Sequence, residues 1–302
     1  MTSIDIIHRY STDATAGRPV PADSSAALLR LQQGNKSFAR LLDHDGNAQG
    51  VQQIIPVDLH DLGFAAGSDN VPKQRPFAAI LGCSDARVPI ELVFNEGPND
   101  LFVIRVAGNG LGGEVLGSLK YAVENLGGSL KLIVALGHSG CGALTTAVDV
   151  FLNPVDYLPL ATKHSLRGIL DRTLLVVQTS AKKLLATFGP DVVLKAGYRK
   201  ALIETSIVTN AALAAYSIQE ELKSSEITGI RAAYGVYLLE TREIWAPRVG
   251  DPDDGGLAVV PRDLAGFVDL GEAIVRSHRV ASLLDANPSA PPIGTASPRP
   301  GR

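Results

Sequence analysis

Leu130-Lys131-Leu132-Ile133-Val134-Ala135-Leu136-Gly137-His138-Ser139-Gly140-Cys141-Gly142 begins as a nearly uninterrupted apolar run and ends in a glycine turn bearing a histidine and a cysteine. Runs of this length and composition suit strands buried on both faces of a parallel sheet. Gly140 and Gly142 permit a tight bend, after which Ala143-Leu144-Thr145-Thr146-Ala147-Val148 can open a helix. A thiol at such a helix N-terminus is biased toward the thiolate that binds metals.

Upstream, Phe77-Ala78-Ala79-Ile80-Leu81 and Leu101-Phe102-Val103-Ile104-Arg105-Val106 repeat the strand pattern. Between the second of these and the opening stretch, Glu114 to Leu126 has apolar residues at helical spacing and Gly127-Gly128 as a stop. Strand, helix, strand predicts an α/β fold with a mostly parallel central sheet, right-handed crossovers and flanking helices. Cys83 follows the first strand almost immediately and His138 follows the third. Ligand sites in open parallel sheets form outside the carboxyl ends of the strands, so residues far apart in sequence can meet there.

Further out the signal weakens. Residues 1–23 are polar, with Gly17, Pro19 and Pro21 breaking any pattern, and predict an extended arm. Ser24 to Gly34 predicts a helix with a serine cap and a glycine near its end. Leu41 to Lys73 has mixed periodicity and is expected at the surface, without an assigned element. Ala201–Lys223 predicts a long helix, Gly229–Trp245 a strand region with an antiparallel edge pair, and Phe267–Leu284 one last helix. Residues 24–285 are thus expected to form one folded domain, followed by a disordered Pro, Ser and Gly-rich tail over 286–302.

The chain has 302 residues, 45% hydrophobic and 20% charged, which is enough for a substantial core without staples. No run reaches the length of a membrane span, and the start Met1-Thr2-Ser3-Ile4-Asp5 lacks signal-peptide features, so a cytoplasmic protein is expected. A formal net charge of -3 gives no case for nucleic acid or anionic membrane as partner, leaving a small molecule as the expected substrate.

Both cysteines of the chain, Cys83 and Cys141, lie in turns after strands. Two thiolates and the His138 imidazole leave one position of a tetrahedral zinc open, the ligand count of a catalytic site. Three other readings stay open on these residues alone. The cysteines could be small core residues and His138 a satisfied core histidine. Asp85 could close the site as a fourth ligand to a structural or redox-sensing zinc. Gly108-Asn109-Gly110-Leu111-Gly112-Gly113 matches a dinucleotide-binding turn, although the next strand ends in Gly137-His138 where a ribose-binding acid is required. These glycines otherwise mark a tight backbone passage.

Cys83-Ser84-Asp85-Ala86-Arg87 together with His138-Ser139-Gly140-Cys141-Gly142 resembles the β-class carbonic anhydrases. The resemblance runs from about Ala26 to Trp245 and takes in Gly34-Asn35 with Phe38, the Asp100–Arg105 strand, the Gly117–Val123 helix and Gly235-Val236-Tyr237-Leu238-Leu239. It implies a β-carbonic anhydrase-type sheet of about four parallel strands plus an antiparallel edge strand. It also implies one zinc ion per subunit and a homodimer or higher homo-oligomer with active sites at the dimer interface.

By the same resemblance Cys83, His138 and Cys141 are the zinc ligands, and Asp85 with Arg87 forms a pair that orients the nucleophile. Gln74, Phe102 and Tyr121 are implied to bind substrate, Gln74 through its amide and the aromatics as apolar walls. The implied activity is reversible hydration of carbon dioxide to bicarbonate and a proton by hydroxide on zinc. Hydrolysis of carbonyl sulfide or carbon disulfide on the same site, or a non-catalytic zinc scaffold, are the alternatives. Two departures stand out. Ile80 occupies the position of a tryptophan found in the family's allosteric subtype, which points to the open subtype with water on zinc. Ala86 replaces the commoner serine.

Overall fold

The computed structural model describes residues 3–11, 18–42, 51–63, 71–253 and 255–285. The chain runs through β1 (Ile4–Ser11), α1 (Ser24–Ala39), β2 (Val51–Asp58), β3 (Ala78–Gly82), α2 (Ile90–Val93), β4 (Leu101–Arg105), α3 (Gly113–Leu126) and β5 (Leu132–His138). It continues through α4 (Gly142–Leu152), α5 (Leu158–Ala161), α6 (His164–Phe188), α7 (Tyr198–Ser224), β6 (Arg231–Tyr237), β7 (Ile244–Trp245), β8 (Ala258–Val259), α8 (Leu264–Arg276) and α9 (His278–Asp285).

The apolar runs become the centre of the sheet. β3 and β5 are buried at every position, and each splits its side chains between two cores. Ala79, Leu81, Ile133 and Ala135 face the core built with α3, α4, α6, α7, α8 and α9. Ile80, Leu132, Val134 and Leu136 face the one built with α1 and α2. Burial on both faces is what permits continuous hydrophobicity without alternation. Strand order is β4-β3-β5-β6, all parallel, with short β7 and β8 antiparallel to β6. The four parallel strands are as expected, and two short antiparallel strands stand where one edge strand was foreseen.

The chain leaves β3 toward β4 on one side, and β5 sends it toward β6 on the other. Their carboxyl ends therefore frame the crevice where the topology switches direction, the place where such sheets bind ligands. Register pairs Gly82 with Leu136, so Cys83 emerges beside Gly137 and next to His138.

α7 is long and apolar enough to cross a membrane by length and composition alone. However, 72% of that window is buried inside the fold, where α7 packs on β5 and β6. Its apolarity is that of a core helix.

Several expectations need correction. α1 does not end near Gly34 but runs to Ala39, and its cap is Asp23, whose carboxylate accepts from the Ser25 and Ala26 amides at 2.8 Å. Gly34 is needed for proximity instead: a Cβ there would lie 1.8 Å from the Phe94 carbonyl oxygen. The supposed last helix is two helices. Ser277 is fully buried, and its carbonyl accepts the Val280 and Ala281 amides, so it starts α9 where α8 stops. The N-terminal arm contains β1, which pairs in parallel with β2 over eight residues. β2 lies in the stretch expected only at the surface, yet Ile55 and Val57 are buried, both close to Gly97. The tail over 286–302 lies outside the described residues.

Candidate metal centre

Cys83 Sγ, His138 and Cys141 Sγ present ligand atoms all within 4.8 Å of one another, and all three residues are buried. Two are delivered by strand ends and the third by the start of a helix. β3 releases Cys83, His138 is the last residue of β5, and Cys141 caps α4. Gly140 at φ +64° makes the bend that returns Cys141 toward His138, a conformation that favours glycine. His138 Nδ1 lies 3.0 Å from its neighbour's carbonyl oxygen, on Ser139. Its Nε2 is buried without a hydrogen-bond partner. A buried, unsatisfied imidazole nitrogen on a histidine grouped this closely with two thiols is the environment of a metal ligand, and the donor set suits a tetrahedral ion.

The sulfurs are not equivalent. Hydrogen bonding from the Cys141 thiol, opposed by burial and aided by His138 and backbone amides, draws Cys83 well below the ordinary thiol range. Cys141 is pushed up, first by the same hydrogen bond, because it keeps the proton the pair shares. The Gly108 N–H also donates to Cys83 Sγ at 3.3 Å. Gly108, at φ +66°, sits in the glycine-rich turn that also matched a dinucleotide pattern. Here that turn is the tight passage expected: a Cβ on Gly108 would lie 3.0 Å from Ala143 Cβ. Asn210 of α7 holds the Gly108 carbonyl at 2.9 Å.

Asp85 stands beside the cluster, with Oδ2 3.8 Å from His138 Nε2. Arg87 donates Nε to Oδ1 at 3.0 Å and Nη2 to Oδ2 at 2.7 Å, and its backbone amide reaches Oδ1 at 2.9 Å. These bonds, with the Arg87 side chain foremost, hold the Asp85 carboxyl far below the usual carboxylate range. It remains an ionised acceptor in a fixed plane.

Of the eight residues singled out by sequence, the structure brings together Cys83, Asp85, Arg87, His138 and Cys141. Phe102 is half-buried on β4, in register with Ala79, and packs on the core that contains both cysteines. Tyr121 is 49% exposed on α3, and Gln74 is exposed ahead of β3. Among the described residues no hydrogen bond joins either to the cluster.

Sequence reasoning missed Arg105. Its Nε donates to the Cys83 carbonyl at 3.1 Å and its Nη2 to the Asp85 carbonyl at 2.6 Å, strapping the first turn. The available signal was register: the arginine ends β4 opposite Gly82. Gly108, Asn210 and Ser139 were also missed, because their roles depend on backbone atoms.

The chain is thus an α/β protein with a Cys-His-Cys cluster that could hold a metal ion at the switch point of its parallel sheet. The carbonic anhydrase family model matches residues 78–236, just over half of the chain, and the chain belongs to the β-class carbonic anhydrase family. Carbonic anhydrase 2 of Mycobacterium tuberculosis is 41% identical over 123 residues, which cover 41% of this chain and 52% of that protein. The carbonic anhydrase of Mycolicibacterium smegmatis is 42% identical over 107 residues, covering 35% and 49% respectively. The chain thus spans about half the length of the curated relatives it matches. Among solved structures, a Coccomyxa β-carbonic anhydrase in complex with acetazolamide aligns at a TM-score of 0.45 and 22% identity, over 58% of this chain and 72% of that one.

Proposed function

We propose that the protein is a zinc-dependent carbonic anhydrase that interconverts carbon dioxide with bicarbonate and a proton. The observation that carries this reading is the juxtaposition of a three-donor cluster with an aspartate beside it that is already engaged by Arg87. Zinc, held by Cys83, His138 and Cys141, would supply an acidified water as nucleophile at neutral pH. Two thiolates formally cancel the ion's charge, so orientation by the protein matters more than with three neutral imidazoles.

Asp85 supplies that orientation. Ionised and held in plane by Arg87, it keeps lone pairs able to accept a hydrogen bond from the nucleophile's O–H, which would turn the oxygen lone pair toward the carbon. Because Arg87 satisfies the carboxylate, Asp85 has less reason to close the site as a fourth ligand, which favours the open form. Arg105 fixes the peptide from which Asp85 projects, and the Gly108 amide withdraws charge from Cys83.

Phe102 is proposed as an apolar wall. Gln74 and Tyr121 are exposed on the single chain and are proposed to complete the pocket at the interface of a homodimer.

Stopped-flow hydration on zinc-loaded, chelator-stripped and reconstituted protein tests the reading. Activity should vanish on stripping and return with zinc, and hydrolysis of carbonyl sulfide on the same preparation should be slower. Hydration no faster than buffer in protein that retains zinc would overturn it in favour of a scaffold.

A further inference from the structure

His138 turns Nε2 toward the sulfurs, so its Nδ1 carries the proton donated to the Ser139 carbonyl. What fixes that carbonyl therefore fixes the imidazole. Ser139 is pinned at three points. Its N–H donates to the Tyr237 carbonyl at 2.9 Å, its Oγ accepts the Leu239 amide at 2.9 Å, and its hydroxyl donates to Glu240 Oε2 at 2.8 Å. The following residue offers no such support. Nothing lies within 4 Å of the place a Cβ would take on Gly140.

Glu240 is 44% exposed and by itself free to turn into water. Arg279 prevents this. Its Nη1 is 2.7 Å from Glu240 Oε1, its Nε donates to Glu204 Oε2 on α7 at 2.8 Å, and its guanidinium lies 5.8 Å from the Trp245 ring centre. The base from which Arg279 projects is firm. Val280 and Leu284, which follow it along α9, are buried, and α9 approaches the start of α7 so closely that a Cβ on Gly197 would meet the Leu283 carbonyl oxygen at 1.7 Å. Arg279 lies beyond the span 78–236 that matches the family.

We propose that Arg279 is a positioning residue for the metal ligand His138, acting through Glu240 and Ser139. A carboxylate held from both sides keeps the Ser139 hydroxyl, and hence its carbonyl, in one place. Partners of this kind set a ligand's orientation and basicity. The inference rests on the zinc reading above.

The test compares zinc transfer to a chelator from full-length, zinc-loaded variants, with the thermal midpoint of each stripped protein measured alongside. Arg279→Met should speed transfer about tenfold, and Arg279→Lys should recover most of the loss. Lys195 reaches Asp285 on the same helix at 2.9 Å, so Lys195→Met loosens α9 without touching Ser139 and should leave the transfer rate near wild type. Arg279→Met in a Ser139→Ala background should add nothing, because the two act in series. If Arg279→Met does not fold, Glu240→Gln keeps an acceptor for Ser139, removes the charge Arg279 holds, and should speed transfer likewise. Equal transfer by Arg279→Met and Lys195→Met, an unchanged rate, or additivity with Ser139→Ala would overturn the proposal. Wild type holding no zinc would sink both readings, whereas zinc held without hydration would sink the enzyme reading alone.

Discussion

The turn after β3 and the turn after β5 each give a sulfur to one centre, yet they are held in opposite ways. The first is charged and partly open. Arg87 is 61% exposed at the side chain, and Arg105 straps the loop from outside through two carbonyls. The second is closed: His138 is fully buried, Ser139 nearly so, and the bend depends on a glycine at positive φ and a buried hydroxyl. Under the proposed function, the first turn would handle substrate and the second would retain the metal. Cys83 is the point where the two tasks meet.

That division breaks most visibly at the buried turn. His138→Ala should lower zinc affinity on the order of a thousandfold, read by chelator competition, because a ligand is lost outright. Asp85→Ala should leave one zinc per chain and lower the hydration rate about a hundredfold, a split that an Asp85 acting as metal ligand would not produce. Arg105→Met should do less than either. Two carbonyls lose a charged donor, so hydration should drop about tenfold. Unfolding stability should drop by roughly 1 kcal/mol, since the arginine is exposed and solvent screens much of its contribution.

The smallest effect is expected away from both turns, and it sharpens the contrast by leaving catalysis alone. Glu272 on α8 is held by Lys183 at 2.8 Å and Arg276 at 2.5 Å, and these hydrogen bonds, Lys183 first, lower its carboxyl to about 2. A carboxyl depressed on folding adds stability above its ordinary pKa and loses it as pH falls through the folded value. Glu272→Gln should therefore cost at most about 1 kcal/mol at pH 7. The cost should shrink as pH falls from about 4.5 toward 2. Urea midpoints across that range check it, with turnover per folded molecule unchanged.

Much of this was legible in the chain itself, for a physical reason. β3 and β5 are buried on both faces, so burial writes continuous apolar runs into the sequence, and the ligands fall at the ends of those runs. What stayed hidden depends on distant partners. β1 is mostly exposed and finds its parallel neighbour 51–58 far along the chain, so no local alternation announces either strand. Gly34 resembles a helix stop because its cause, the Phe94 carbonyl, belongs to another element. Arg105 is visible only through sheet register. The path from Arg279 to Ser139 exists only after α9 has docked.

The central claim is that three protein atoms hold the metal while Asp85 stays with Arg87. Zinc X-ray absorption on the full-length protein near neutral pH tests it most directly. The account predicts two sulfur scatterers, one imidazole nitrogen and one oxygen from water, unchanged in Asp85→Ala. A carboxylate oxygen in the wild-type spectrum that disappears in Asp85→Ala, or a site lacking either sulfur, would contradict it.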